Sequence, residues 1–392
     1  MTRRRQVLGA LGTAATLSLA GCGGLAGLGG REGSCPPYDP VEIDRAAWPG
    51  RYGGPSNTGA VAAEARPGSD PTPEWRFTIE THVGYHTPIV ADGTVYVHDM
   101  DERLWAVDAA TGDTIWSQAV TPGWLGPGLG DGTLVVPLEA GLLGLDAADG
   151  SEHWRAGEDL QPEFAGASPL VVDGTVYMPL GVSLYALDAA TGETRWRFPV
   201  GLQSLSMPAV AGETVYFAGQ DTYVYALDAT DGTERWRTKT DAGIEANVAV
   251  AGGTVCVATG DGTVYALDRE TGEPRWTHQF PPRAGNRPRR PEAVATDGSR
   301  VYVLTDDRLT ALARSNGHRC WRQFDVSTGY LPGVALSDGQ VYTPHRDGLA
   351  ALDAASGDER GVLVETELLR AGPAIADGAL YAIARDELVR YG

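Results

Sequence analysis

Lysine is almost missing from this chain: Lys239 is the only one in 392 residues, and arginine supplies the other side-chain cations. The 31 basic residues face 51 acidic ones, a formal net charge of −20, which excludes nucleic acid as a partner because most of the surface would repel a polyanion. Short-stemmed carboxylates hold water and cations in strong brine, where lysine's long apolar stem is disfavoured. At molar salt the Debye length is about 3 Å, so repulsion among the excess carboxylates is screened. The composition reads as the surface of a halophilic protein. No run of eighteen apolar residues occurs, which excludes a conventional spanning helix. Cysteine is scarce too, with Cys22, Cys35, Cys256 and Cys320 only, and no CxxC or Cys/His spacing suggests a metal site.

The cations that are present begin as an address. Arg3, Arg4 and Arg5 precede an apolar stretch from Val7 to Leu19, the charged and hydrophobic parts of a signal peptide over residues 1–22. Arg4-Arg5-Gln6-Val7-Leu8 resembles the twin-arginine (Tat) export motif, and Leu19-Ala20-Gly21-Cys22 resembles a lipobox whose cysteine takes lipid. The expected location is the extracytoplasmic face of the cell membrane, with Cys22 as lipid attachment. Residues 23–45, rich in Gly and Pro, are expected to form a flexible stalk. Setting Cys22 aside leaves an odd number of cysteines, and Cys256 and Cys320, in strand-like positions of adjacent repeats, are expected to be buried free thiols.

From residue 46 to 392 the chain repeats itself. The unit DGTVYxxxxDGxLYALDAATGExxW recurs from Asp92, Asp131, Asp173, Gly212, Gly252, Asp297 and Asp338, with a truncated copy from Asp377. Its last position falls at 116, 154, 196, 236, 276, 321 and 361, intervals of 38 to 45 residues that suit a four-stranded blade. Alternation gives short strands, and Asp-Gly pairs give tight hairpins between them. The aspartate of Asp108-Ala-Ala-Thr-Gly112 and its copies is expected to cap its own turn. Trp116, Trp154, Trp196, Trp236, Trp276 and Trp321 should dock neighbouring blades. Each could bury roughly 150–250 Å², an upper limit of ~4–6 kcal/mol per interface at about 25 cal/mol per Å². Glu74-Trp75-Arg76-Phe77 matches Arg195-Trp196-Arg197-Phe198, so an N-terminal strand carrying Trp75 should supply the strand missing from the last copy. The fold expected is an all-β, eight-bladed propeller closed by that strand, with seven blades as the runner-up.

Tyr185–Trp196 and Tyr225–Trp236, with Trp48-Pro49-Gly50-Arg51-Tyr52-Gly53-Gly54 and Asn57-Thr58-Gly59, resemble the pyrroloquinoline quinone (PQQ) repeat family. That resemblance implies one of two functions: quinone-dependent dehydrogenation, or cofactor-free scaffolding of the BamB type. The dehydrogenase members place Ca²⁺ beside PQQ, use an aspartate base, and often pack a vicinal disulfide on the quinone. This chain has no adjacent cysteines and no long insertions to build such a site. A binding scaffold without catalysis and without a cofactor is therefore expected, with PQQ and Ca²⁺ only under the alternative reading; a purely structural envelope role is a third reading.

Function is sought where the blades differ. The residues three before each blade's first proline position, Tyr85, Trp124, Gly166, Leu205, Glu245, Arg290, Leu331 and Arg370, should ring one mouth of the channel. Of these, Tyr85, Trp124, Glu245, Arg290 and Arg370 are the candidate binding groups. One lengthened connection, Pro281 to Pro291, adds Arg283, Arg287 and Arg289. The partners expected are an envelope or surface protein or a small anionic ligand, bound by a monomer. His82 and His86 lie nearby, without the further ligands a metal would need.

Overall fold

The computed structural model describes residues 35–40, 53–54, 60–61, 71–79, 86–99, 103–120, 125–138, 141–157, 167–200, 202, 206–244, 246–324, 326, 333–365, 371–384 and 386–392. Within them the chain forms eight sheets, each built on four antiparallel strands, the blades of a propeller, and no helix. The first blade runs outward through Ile89–Ala91, Thr94–His98, Arg103–Asp108 and Thr114–Ala119, and the pattern repeats to the seventh, Ala335–Ser337, Gln340–His345, Gly348–Asp353 and Glu359–Glu365. The inner strands are buried on both faces because neighbouring blades cover them. Outer strands alternate with solvent, as the half-buried Trp116 and exposed Ile115 of the first blade show.

The eighth blade is built from both parts of the chain. Ala374–Ala376, Ala379–Ala384 and Glu387–Tyr391 make its first three strands, and Pro73–Thr78 pairs with the third, Trp75 opposite Arg390 and Phe77 opposite Leu388. Thr72 and Gly392 exchange two backbone hydrogen bonds at 3.1 and 3.2 Å, extending the seam. Eight blades, not seven, follow from this closure.

The turns obey their residues. Asp92-Gly93, Asp131-Gly132, Asp173-Gly174, Asp338-Gly339 and Asp377-Gly378 all have positive φ at both positions, the backbone of a two-residue hairpin whose twist matches its strands. In the next turn outward the Asp108 carboxylate accepts the N–H groups of Ala110 and Thr111 at 2.9 and 2.8 Å. A second oxygen of the equivalent aspartate binds an arginine seven residues on: Asp188 with Arg195, Asp228 with Arg235, Asp268 with Arg275, at 2.8, 2.7 and 2.6 Å.

Each tryptophan locks onto this turn in the following blade. The indole N–H of Trp116 donates to the Ala147 carbonyl at 3.0 Å, and Tyr96 donates to the same oxygen at 3.0 Å, so both lone pairs are used. Trp75, Trp154, Trp196, Trp236, Trp276 and Trp321 make the same bond to Ala109, Ala189, Ala229, Arg269, Arg314 and Ala354. The indole plane lies on the turn glycine. At Gly192, Gly232 and Gly317 an added Cβ would meet the ring at 2.5 to 2.6 Å. Glycine is therefore required there twice over, by positive φ and by contact.

Two features depart from the sequence reading. Cys320 is not a free thiol: it forms a disulfide with Cys35, Cα to Cα 5.2 Å, while Cys256 is free and buried. The physical reason is a bulge. In each outer strand the residue before the tryptophan is squeezed out of register, as where Ala311 faces Trp321 but Leu312 faces Arg319, which leaves Cys320 unpaired between them. That slot holds Arg195, Arg235 and Arg275 in other blades. Cys35 and its neighbours are strapped down: Arg300 donates to the Pro36 carbonyl at 2.8 Å, and Tyr38 to Asp297 at 3.0 Å beside Tyr302 at 2.6 Å. The segment expected to be stalk thus packs on the sixth blade over Cys35–Asp39. The second departure is a strand at Ala60–Val61, parallel to Ala335–Ser337 on the channel side of the seventh blade. Two residues carry no periodicity, so nothing in the sequence announced it.

Candidate functional site

Strand direction gives every blade a like end, where its first strand begins, its second ends and its third starts. On the sixth blade this end gathers Arg283, Arg287, Arg289, Arg290 and Arg308 around Asp306 and Asp307. The Pro281–Pro291 connection folds back on itself, with Arg283 N–H donating to the Arg287 carbonyl at 2.8 Å through Gly285 and Asn286, both at positive φ. Its arginines divide into two kinds. Arg283 pairs with Asp306, and Arg289, nearly buried, donates to the Pro281 carbonyl at 2.9 Å and pairs with Asp307. Arg287 and Arg290 are exposed.

Asp307 and Asp306 form the turn between the second and third strands, Arg300–Thr305 and Arg308–Ala313. Asp307 also receives Arg308 through bonds of 3.0 Å to each oxygen. Partial burial pushes its carboxyl up, but the hydrogen bonds and charges of Arg308 and Arg289 outweigh this and hold it at about 2. Two aspartates therefore serve three arginines. Sequence reasoning missed Arg308 and Arg322, because they lie in regular strands; their signal was position at the strand ends beside the arginine-rich connection.

Of the expected channel-mouth ring, Arg290 is placed here, while Tyr85, Trp124, Gly166, Leu205, Glu245, Leu331 and Arg370 lie outside the described residues, as do Cys22 and His82. His86 is described, and it is buried against His98, ring centroids 3.8 Å apart. One ring nitrogen of His86 meets the His98 carbonyl at 3.2 Å, and His98 Nδ1 meets the Asp99 carbonyl at 2.9 Å. Burial pushes the His98 imidazole below its ordinary range, although the carbonyls of Asp99 and Leu125 partly oppose this. The pair ties the start of one strand to the end of the next, as Ser206 does with Ala218 in the fourth blade. Burial also pushes the Cys256 thiol up to about 12, so it stays protonated and unreactive.

A family model described as outer membrane protein assembly factor BamB matches residues 57–136, 103–197, 139–242, 181–324 and 305–391. The chain belongs to this PQQ-repeat family. A BamB of Xanthomonas campestris pv. campestris is 33% identical over 93 residues, 20% of this chain, and the match spans 22% of that relative's length. Among solved structures, BamB from Moraxella catarrhalis superposes with a TM-score of 0.67 at 17% identity, covering 82% of this chain and 99% of that one. The quinohemoprotein alcohol dehydrogenase of Comamonas testosteroni gives 0.71 at 16%, covering 88% and 80%. At these identities the structures show the shared propeller alone.

Among the described residues of this BamB-family chain, no three His, Cys, Asp or Glu side chains stand together as metal ligands. The recurrent aspartates Asp188, Asp228 and Asp268 are spent on their own turns and arginines. The disulfide joins an outer strand to the N-terminal strap, and the strand at Ala60–Val61 occupies the channel side of one blade. No helix of the described residues is long and apolar enough to cross a membrane.

Proposed function

We propose that this chain is a lipid-anchored, extracytoplasmic scaffold that binds a protein or an anionic ligand and performs no catalysis. One observation carries the reading: the recurrent chemistry of the repeat is consumed by the ring itself. Tryptophans and turn glycines hold blade to blade, turn aspartates hold their own turns, and the sixth blade adds a set of cations beyond these contacts. The binding groups proposed are Arg287 and Arg290 of the lengthened connection, with Tyr85, Trp124, Glu245 and Arg370, which the repeat alignment alone assigns to a channel mouth. Arg283 and Arg289 shape the connection through Asp306 and Asp307. Cys22 is the proposed lipid site, and two acyl chains are expected on it because one chain gives only marginal binding.

The test is fractionation joined to crosslinking in the producing cell. Wild type should pellet with membranes and yield one recurrent crosslinked complex, while Cys22→Ser should move to the soluble fraction or fail to mature. A mutant that pellets like wild type, together with an unlipidated native N-terminus, contradicts the anchor. Crosslinks scattered over all blades with no recurrent partner contradict the scaffold.

A further inference from the structure

Phe324 is an exposed aromatic side chain, 52% accessible, at the end of the sixth blade's outer strand. Two guanidinium groups lie over it, Arg322 at 4.6 Å and Arg308 at 5.0 Å from the ring centroid, both within cation–π range. They differ in charge balance. Arg308 is held by Asp307 and is almost buried, whereas Arg322 makes no ion pair among the described residues. Its proton affinity is lowered by desolvation and then by the like charges of Arg319, Arg308 and Arg289, so the groups of the strand and of the connection share one local field. Arg287 and Arg290 likewise make no ion pair among the described residues.

We propose that this end of the sixth blade docks an acidic, extended segment of a partner protein, with carboxylates on Arg322, Arg287 and Arg290 and an apolar side chain on Phe324. The proposal rests on the scaffold reading and names its partner's chemistry. Three arguments favour a peptide over an anionic bilayer. The basic island is small, and the rest of a chain of net charge −20 would be repelled by a uniformly negative sheet, whereas a short segment touches the island alone. In strong salt only contact interactions survive, and guanidinium–carboxylate pairing beside an apolar shelf is a contact interaction. The strap at Cys35–Asp39 meets the opposite end of the same blade, at Asp297–Arg300, so an N-terminal anchor would pull on the far end.

The test uses the full chain carrying Cys22→Ser and a fluorescein-labelled peptide, (Glu-Glu-Phe)₃, followed by anisotropy at the lowest salt that preserves the fold. Equal mixtures of phosphatidylglycerol and phosphatidylcholine vesicles form the second arm. Arg287→Ser/Arg290→Ser/Arg322→Ser should weaken peptide binding at least tenfold, and Phe324→Ser about fivefold. Arg322→Lys should recover less than half of the loss, since lysine keeps charge without the planar stack. A control triple on other outer strands, Arg155→Ser/Arg197→Ser/Arg237→Ser, should stay within twofold. Thermal melts identify any variant that has lost its fold, and Arg322→Lys then serves alone. No peptide binding, binding indifferent to the triple, or vesicle binding without peptide binding each overturns the proposal. PQQ-dependent turnover would defeat the scaffold reading by a separate measurement and leave the peptide result readable.

Discussion

Gly112 of the first blade lies beneath the indole of Trp75 from the eighth, so close that a Cβ at Gly112 would sit 2.9 Å from the ring. Trp75 precedes every repeat in sequence, yet it makes the contact that Trp116, Trp154 and the others make, including the bond to the next blade's carbonyl. The lock that joins neighbours thus also closes the ring. Its absence between the seventh and eighth blades has a cause. The third and fourth strands of the eighth blade, Glu387–Tyr391 and Pro73–Thr78, are far apart in sequence, so no turn joins them. A tryptophan there would have no glycine to cover, and Gly361 stands at that position.

Trp75→Ala should therefore lower stability by about 3 kcal/mol, the low end for a large aromatic because the side chain is only half buried. Denaturant unfolding in high salt measures it. A truncation starting at Thr78 should expose the edge of the eighth blade and self-associate; a monomer with unchanged melting would contradict closure by this strand.

Two glycines separate backbone strain from packing. Gly93 and Gly192 have φ of +73° and +72°, but a Cβ at Gly93 meets nothing within 4 Å, whereas at Gly192 it meets Trp154 at 2.5 Å. Gly93→Ala should cost about 1–2 kcal/mol, the penalty for left-handed backbone. Gly192→Ala should cost at least about 1 kcal/mol more. Equal unfolding midpoints would show that the indole does not rest on the turn.

Acid should loosen the sixth blade through Asp307. Its carboxyl is depressed to about 2, below the usual value near 4, so its contribution is complete above pH ~4 and lost as pH falls through 2. Hydrogen exchange across 281–290 should rise over that window. Asp307→Asn should show fast exchange already at pH 6 and little further change; a wild-type profile flat from pH 5 to 2 would contradict the pairing.

Reducing the Cys35–Cys320 bond, or replacing Cys35 by Ser, should lower the melting temperature, because the bond closes a loop spanning 285 residues of sequence. Proteolysis should then reach the strap near Tyr38 before the blades open. Identical melting and cleavage with and without reductant would show that the strap is held by Tyr38 and Arg300 alone.

The blades, the tryptophan locks and the closing strand were legible because they repeat: a position seen seven times declares its role. What occurs once was harder. Cys320 looked like one more strand residue, although the register held a clue, since it fills the slot of Arg195, Arg235 and Arg275 in the one repeat where Ala313 replaces the paired aspartate. Pairing with Cys35 depends on a chain path no local pattern encodes. The strand at Ala60–Val61 is too short to show alternation. At the basic face the arginine-rich connection was visible as composition, but its division into paired and free cations was not, because Asp306, Asp307 and Arg308 reach it from another part of the sequence.

Quinone binding and turnover separate a scaffold from an enzyme most directly. Purified protein should be dialysed to equilibrium against PQQ and Ca²⁺, then supplied with alcohols or sugars and an artificial electron acceptor. Uptake well below one quinone per chain and no acceptor reduction above the protein-free rate are the results expected; tight, stoichiometric PQQ binding with substrate-dependent turnover would contradict the account.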